Sequence, residues 1–344
     1  MSNDTTSQLH LIAKGGPFGF ASASKPTPAS DQLLIRVQAT ALNSLDLKQR
    51  DTGLFISRYP HVLGIEGAGV VETVGSDVKG FQPGDEIMAC LAGNARGLGW
   101  GGSYAEHVTV PEKFFVARKP KNISIVEAAS LPIAYMTAVC GILDGLKIPL
   151  PFLPGTPDSG TVPASVLVLG GSSATGASLI QLLRLAYPSL PIYATSSPRN
   201  FDRVKSLGAT AVFDYHSAFI VADIRDQTPN AQGVDAIVDF VAAGAGQTDI
   251  CDVLDARGAN LYATVVNSVD VPVPNGVTRR LFDGWALLEM PGGETVLPAL
   301  TGLVERSKFK ASVGVRVAGH GLKKVPEAME EVPKVSGEKI VVTL

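Results

Sequence analysis

The segment Val166-Leu-Val-Leu-Gly-Gly-Ser-Ser-Ala-Thr-Gly-Ala-Ser-Leu-Ile-Gln-Leu-Leu183 constrains the fold of this chain more than any other. Val166 to Leu169 is a continuous apolar run that reads as a strand buried on both faces. Gly170 and Gly171 end it, and an apolar helical pattern through Ile180, Leu183 and Leu185 follows. A strand, a turn of small residues and a helix leave unpaired backbone N–H groups at the helix start, where a pyrophosphate docks. The match to G-x-G-x-x-G is incomplete: Ser173 stands at the middle glycine, and only Gly171 and Gly176 fit. An ordinary tight turn would use the same residues, so the downstream chain has to arbitrate. A second strand, Ile192-Tyr-Ala-Thr195, arrives where an NAD site carries an acidic residue for the ribose hydroxyls. Here the chain offers Thr195, Ser196, Ser197, Pro198, Arg199 and Asn200, with hydroxyls, an amide and a guanidinium but no carboxylate. That is chemistry for a 2′-phosphate, and the expected cofactor is NADPH.

Three textures divide the 344 residues, a length suited to about two domains. From Gln32 to about Pro120 the chain is rich in Val, Gly and turn signals. Leu33–Ala39, Gly67–Val74 and Glu86–Ala89 read there as short strands of a β-rich module. From about Ser165 to Val265 strands alternate with helical patterns. The strands are Val166–Leu169, Ile192–Thr195, Ala211–Phe213, Ala236–Phe240 and Asn260–Thr264, which predicts a parallel sheet covered by helices. Between Ile148 and Pro163 a Pro-rich insert, Pro149-Leu-Pro-Phe-Leu-Pro-Gly-Thr-Pro157, reads as a surface loop. From Lys310 the chain returns to β character, and Lys339-Ile-Val-Val-Thr-Leu344 is expected to rejoin the first module.

The formal charge of −3 with no basic run implies no nucleic-acid or acidic-lipid partner. Met1 to Gln8 is polar and unlike a secretory leader, and no apolar stretch is expected to reach the ~18 residues that span a membrane. Cys90, Cys140 and Cys251 lie far apart, as small core residues of a reduced compartment do, so a cytoplasmic enzyme is expected.

Four further motifs carry a resemblance. Leu63-Gly-Ile-Glu-Gly-Ala-Gly-Val-Val-Glu-Thr-Val-Gly75, Phe81-Gln-Pro-Gly-Asp-Glu86, Gly101-Gly-Ser-Tyr-Ala-Glu-His107 and Glu127-Ala-Ala-Ser-Leu-Pro132 are similar to the successive motifs of medium-chain dehydrogenases/reductases. Gly170–Gly176, the run Ser197-Pro-Arg-Asn-Phe-Asp202 continuing into Val204–Ala209 with Asp214-Tyr215, and the Pro-rich insert resemble the fungal trans-acting enoyl reductases of polyketide biosynthesis. The resemblance covers the chain from about residue 9 onward. It implies an α/β fold with a Rossmann-type parallel sheet (136–299) and a β-rich, GroES-like catalytic domain (1–135 and 300–344). One departure is visible: the family's A-L-N-P-x-D motif stands here as Ala41-Leu-Asn-Ser-Leu-Asp46, which leaves open the path of that loop.

Many members of that superfamily hold zinc, and the resemblance locates the ligands. Asn43 stands where the metal-binding relatives carry a cysteine, Ile65 stands where they carry a histidine, and Leu91 to Trp100 lacks the four-cysteine lobe. The five histidines show no ligand spacing, so no metal is expected. Without a Lewis acid, hydride addition to an activated C=C is easier than alcohol oxidation, because the charge delocalises onto a conjugated carbonyl.

The resemblance implies roles residue by residue. Ser172, Ser173, Ala174 and Thr175 cradle the pyrophosphate, and Ser197, Pro198, Arg199 and Asn200 hold the 2′-phosphate. Tyr215 contacts the adenosine. Leu261, Tyr262, Val341 and Val342 touch the nicotinamide half, and Leu45, Asp46, Leu47 and Lys48 form a further cofactor-contacting tetrapeptide. Thr137, Ala138, Val139 and Cys140 begin a substrate-facing helix, and Asp283, Gly284, Trp285, Ala286 and Leu287 form a second substrate segment. Lys48 and Thr137 are the candidate catalytic donors. A surface lysine, a packing threonine and a core tryptophan are the plainer alternatives for Lys48, Thr137 and Trp285. The expected activity is NADPH-dependent reduction of an α,β-unsaturated thioester or enone. The substrate would be a small molecule or an acyl group on a carrier protein, with a polyketide synthase as partner and a monomer favoured over a dimer. A quinone or small-enal reductase, a tailoring reductase of a conjugated or imine intermediate, and a non-enzymatic cofactor-binding protein are the rival readings.

Overall fold

The computed structural model describes residues 5–266 and 269–344, and the chain divides into two compact units. One ends at Ile133 and takes up the chain again at Leu297–Leu344; the other is Ala134–Val296.

The first unit is built on antiparallel pairing. A hairpin of β1 (Thr5–Leu11) and β2 (Phe18–Ser24) continues through β4 (His61–Val62) into a three-stranded sheet. β3 (Gln32–Ala41) is the spine of the larger sheet: it pairs with β5 (Glu66–Val74), with β7 (His107–Pro111) and with the last strand of the chain. β6 (Glu86–Cys90) and β8 (Val116–Arg118) extend it on one side. The segment 43–48, read from the sequence as a loop, is helical: α1 spans Ser44–Thr52, with Asn43 at its N-cap and Gly53 closing it at φ 73°. This resolves the missing proline. Ser44 occupies the first helical position, where proline is favoured because its absent N–H would be unbonded anyway, so a helix can start there with either residue.

α2 (Ile125–Ala129) and α3 (Pro132–Cys140) follow, and α3 runs on into a π-helical turn, Gly141–Leu146. The continuous stretch Ile125–Leu146 is 22 residues long and apolar enough to cross a membrane by length and composition, which corrects the expectation that no stretch reaches that size. Pro132 opens α3 rather than interrupting the apolar run, and 72% of the most apolar window is buried as a core helix.

The second unit is a six-stranded parallel sheet. β9 (Val166–Leu169), β10 (Ile192–Ser196), β11 (Ala211–Asp214), β12 (Ala236–Asp239), β13 (Leu261–Val265) and β14 (Thr278–Phe282) lie in the order β11-β10-β9-β12-β13-β14. Numbered from β9, that is the doubly wound order 3-2-1-4-5-6, whose ligands bind beyond the carboxyl ends of the strands where the order reverses. All four residues of β9 are fully buried, as a central strand covered on both faces requires. β14 was not expected, because Thr278, Arg279 and Leu281 are exposed at the sheet edge and give no apolar run. α4 (Ala174–Ala186), α5 (Phe201–Ser206) and α6 (Ile220–Asp226) connect the strands. The Pro-rich insert carries no regular structure, yet Leu150, Leu153 and Pro163 are buried, so it is anchored rather than free.

After α7 (Val296–Glu305), the chain forms β15 (Gly314–His320), a short α8 (Val325–Met329) and β16 (Glu338–Thr343). β16 pairs antiparallel with β3, matching Val341 with Ala41, so the C-terminal strand rejoins the first unit's sheet.

Candidate active site

In the second unit the strand order reverses between β9 and β12, and the glycine turn follows β9 directly. Gly170 has φ 76°, and a Cβ there would meet Val241 at 2.5 Å. A Cβ on Gly171 would meet that of Ala194 at 2.7 Å, and one on Gly176 would meet the Gly170 carbonyl at 2.4 Å. The turn is thus closed against strand and helix wherever glycine stands. Ser173, at the middle glycine position, is the N-cap of α4, and its Oγ accepts from Gly176 N at 3.0 Å. That leaves the amides of Ala174 and Thr175, in the first turn, without an acceptor inside the helix. These amides, the positive end of the helix dipole and the half-buried Ser172–Thr175 suit a pyrophosphate.

The hydroxyl cluster after β10 divides by burial. Thr195 is spent on the turn itself: its Oγ1 accepts from Gly170 N at 3.1 Å and its carbonyl from Gly171 N at 2.8 Å. Ser196 is also buried, and its hydroxyl donates to the Ser197 carbonyl. Thr195 and Ser196 therefore do not supply the free hydroxyls that the sequence offered there. Ser197 is half-buried, Pro198 and Arg199 are exposed, and Asn200 is buried, so the guanidinium of Arg199 is free to reach an anion. Sequence reasoning missed Arg203, on the first turn of α5. Its Nη2 donates to the Ser172 carbonyl at 3.1 Å, tying α5 to the glycine turn, and burial lowers its pKa. The four-residue spacing from Arg199 was the available signal. Tyr215, just past β11, is exposed and stacks on His216 with ring centroids 4.0 Å apart.

Beyond β12 the backbone is held by a second feature the sequence did not reveal. The carboxylate of Asp239, fully buried, accepts from Tyr262 Oη at 2.6 Å, from Val241 N at 2.8 Å and from Gly244 N at 3.3 Å. This knot presents Val241, half exposed, against Gly170. It also commits the Tyr262 side chain to the core, so at Leu261 and Tyr262 only the backbone is left for a cofactor.

The two segments expected to face substrate lie side by side in this unit: a Cβ on Gly284 would be 3.7 Å from Thr137 Oγ1. Thr137, Gly284, Trp285 and Ala286 are half-buried, whereas Ala138, Val139, Cys140 and Leu287 are buried core residues. Asp283 caps the 3-10 turn Gly284–Leu288, accepting from Trp285 N at 2.7 Å and Ala286 N at 3.2 Å, so its carboxylate is a structural group. Burial drives the Cys140 thiol pKa upward, which leaves it an unreactive core residue.

The first unit gathers Asn43, Asp46, Glu66 and Lys339. Lys339 on β16 places Nζ 2.6 Å from Oε1 of the fully buried Glu66 and 2.5 Å from Asn43 Oδ1. Asn43 Nδ2 donates to Glu66 Oε1 at 2.9 Å, and Ile133 N donates to Glu66 Oε2 at 2.9 Å. Asp46, at the third position of α1, accepts from Asn43 N at 2.7 Å, while its Oδ1 is buried without a hydrogen bond. Burial raises the Asp46 pKa to about 7, against the lowering effects of the Asn43 amide and Lys339. Tyr104 is pushed well up, first by burial and then by the Asp46 charge. Leu45, Leu47 and Lys48 are half-buried, and burial lowers the pKa of Lys48. Val341 and Val342 are fully buried in β16. Lys339, unremarked in the sequence, was betrayed only by its place in an apolar strand. Among the described residues no group of three or more His, Cys, Asp or Glu side chains could hold a metal ion.

Residues 29–121 match the family described as the alcohol dehydrogenase GroES-like domain, and residues 207–336 the family described as zinc-binding dehydrogenase. Dehydrogenase azaJ of Aspergillus niger is 30% identical over 94% of this chain and 94% of its own length. Trans-enoyl reductase buaC of Petromyces alliaceus is 30% identical over 98% and 97%. Among solved structures, an NAD-dependent alcohol dehydrogenase superposes with a TM-score of 0.78 at 27% identity, covering 98% of this chain and 99% of that one. The fold alone is shared with the CurK enoyl reductase, at a TM-score of 0.79 and 23% identity over 99% of each chain.

Proposed function

The chain belongs to the medium-chain dehydrogenase/reductase superfamily, a family of nicotinamide-dependent oxidoreductases, and on that premise we propose that it is an NADPH-dependent, metal-free reductase of the C=C bond in α,β-unsaturated thioesters or enones. The observation that carries this choice is the ion pair between Lys339 and Glu66. Asn43, at the position where zinc-binding relatives carry a cysteine, and Glu66, next to the position where they carry a histidine, are both bonded to the Lys339 ammonium, and the apolar Ile65 offers no ligand. A divalent cation would have to displace Lys339, the Cys90 opposite Glu66 in the sheet is held as a neutral thiol by burial, and among the described residues no three ligand side chains come together, so the donor set does not suit zinc.

The bound nicotinamide supplies the hydride, and the chain supplies binding and charge stabilisation. Ala174 and Thr175 amides hold the pyrophosphate, and Arg199 with Ser197 and Asn200 binds the 2′-phosphate. Hydride addition at the β-carbon puts negative charge on the thioester carbonyl oxygen, which needs a donor. Thr137, through its hydroxyl, and Lys48, through its ammonium, are the candidate donors. Water completes the reaction by protonating the α-carbon. A substrate carried by a polyketide synthase accords with the likeness to trans-enoyl reductases.

Single-turnover oxidation of NADPH, followed by absorbance against enoyl thioesters, quinones and small enals, tests the reading. Enoyl thioesters should be reduced with the highest kcat/KM. Preference for quinones, or turnover that depends on added zinc, overturns it.

A further inference from the structure

The segment that begins at Gly284 runs beside the helix carrying Thr137, and beyond their contact the two elements part. They open on a cavity of about 420 Å³, within the size range of small-molecule sites. Leu143 and Ile148 line the helical side, Ala286 and Met290 the opposite side, and Pro157 and Ser159 of the Pro-rich insert complete the wall. Asp144 lies seven residues beyond Thr137, across the junction of α3 with its π-helical turn, and Ile148 follows the turn's end at Lys147, so the cavity lies about 10 Å further along the stretch than Thr137. Its lining is graded. Leu143 and Ile148 are buried, apolar residues, whereas the rim carries exposed Glu289 and the Lys147–Asp144 pair at 2.5 Å. An apolar lining with a charged rim suits a hydrocarbon chain whose far end reaches solvent.

We propose that this cavity is the subsite for the distal hydrocarbon of the acyl substrate, and that the Pro-rich insert is the wall that selects chain length. The proposal rests on the enoyl-thioester reading above. The acyl group would run from the carbonyl at Thr137 along the groove between the two elements, and its tail would displace water from Leu143, Ile148 and Met290. The insert serves this role because it is fixed: Leu150 and Leu153 bury its first half, and Gly155 packs against Gly292, where an added Cβ would lie 3.3 Å from the Gly292 Cα. Each methylene seated or excluded in an apolar pocket shifts selectivity by roughly tenfold or more.

The test compares crotonyl with 2-dodecenoyl N-acetylcysteamine thioesters in the unmodified protein and in Ser159→Phe and Met290→Phe, which fill the cavity from two sides. Asp158→Phe, beside the wall but not part of it, is the control. The ratio of kcat/KM for the long over the short substrate should fall about tenfold in both filling variants, through KM, and stay unchanged in the control. An unchanged ratio in both filling variants overturns the subsite. A second readout separates the two readings: calorimetric binding of the saturated dodecanoyl thioester, without cofactor. Binding that weakens about tenfold in the filling variants, in a protein that reduces no enoyl thioester, supports the subsite and refutes the reductase reading. Reduction of enoyl thioesters with dodecanoyl binding unaffected by the filling variants refutes the subsite alone.

Discussion

Replacing Asp46 by asparagine should change how stability depends on pH, and the sign follows from the environment of the carboxyl. Asp46 is fully buried on the first turn of α1, with one oxygen bonded to Asn43 N and the other unbonded. Its pKa is raised from 3.8 to about 7, chiefly by burial. An acid with a raised folded-state pKa binds more protons folded than unfolded between those two values. Stability therefore falls as pH rises through that window and levels off above the folded-state pKa. A shift of this size corresponds to roughly 4 kcal/mol across the window. In Asp46→Asn the amide side chain keeps an acceptor for the Asn43 N–H and carries no charge, so the variant should lose this slope. At pH 4 the two proteins should have similar stability, with the variant at most about 1 kcal/mol worse because an amide carbonyl caps less strongly than a carboxyl. Above pH 7 the variant should be the more stable by a few kcal/mol. Urea midpoints measured from pH 4 to pH 9 check this. Parallel curves for the two proteins would refute the argument, because they would show that Asp46 titrates as it does in the unfolded chain.

Lys339→Met strands a buried carboxylate at Glu66 and should cost about 3–5 kcal/mol in unfolding free energy, most of it recovered in the Lys339→Met, Glu66→Gln double variant. Arg199→Ala should weaken NADPH binding about tenfold or more and leave NADH binding unchanged; fluorescence titration with both cofactors decides it. Asp239→Asn should raise the NADPH Kd about tenfold with kcat near normal at saturating cofactor, because it loosens the loop that seats Val241 against Gly170. Lys48→Met should lower kcat by roughly 10²–10³-fold with little change in NADPH affinity. A near-normal kcat would leave positioning of hydride donor and acceptor to carry the reaction.

The nucleotide-binding sheet was legible because its central strands are short, wholly apolar and punctuated by glycine. β9 can be nothing but a covered strand, and Gly170, Gly171 and Gly176 are each closed in by neighbouring atoms. β14 and the β1–β2 hairpin were not legible: β14 and β2 are edge strands with exposed faces, and β1, though central between β2 and β4, is mostly polar, with Leu9 and Leu11 its only apolar residues. α1 was misread for a related reason: at nine residues, mostly polar, it has little apolar periodicity, and what fixes it is its N-terminal turn, where the Asp46 carboxyl bonds the Asn43 amide. At the candidate site the sequence named residues by motif but could not tell which groups were already occupied. Thr195 looked like a phosphate ligand until its hydroxyl proved to hold Gly170, and Asp283 looked like a substrate contact until it proved to cap the turn behind it. Conversely, Arg203 and Lys339 went unremarked because each serves an oxygen brought in from a distant element, the Ser172 carbonyl and the Glu66 carboxylate. A cation in an apolar strand or beside a turn is visible as an anomaly in one dimension; the anion it neutralises is not. In this chain that missing partner carries the proposed reading, since the ammonium of Lys339 on Glu66 occupies the oxygen that a metal would need.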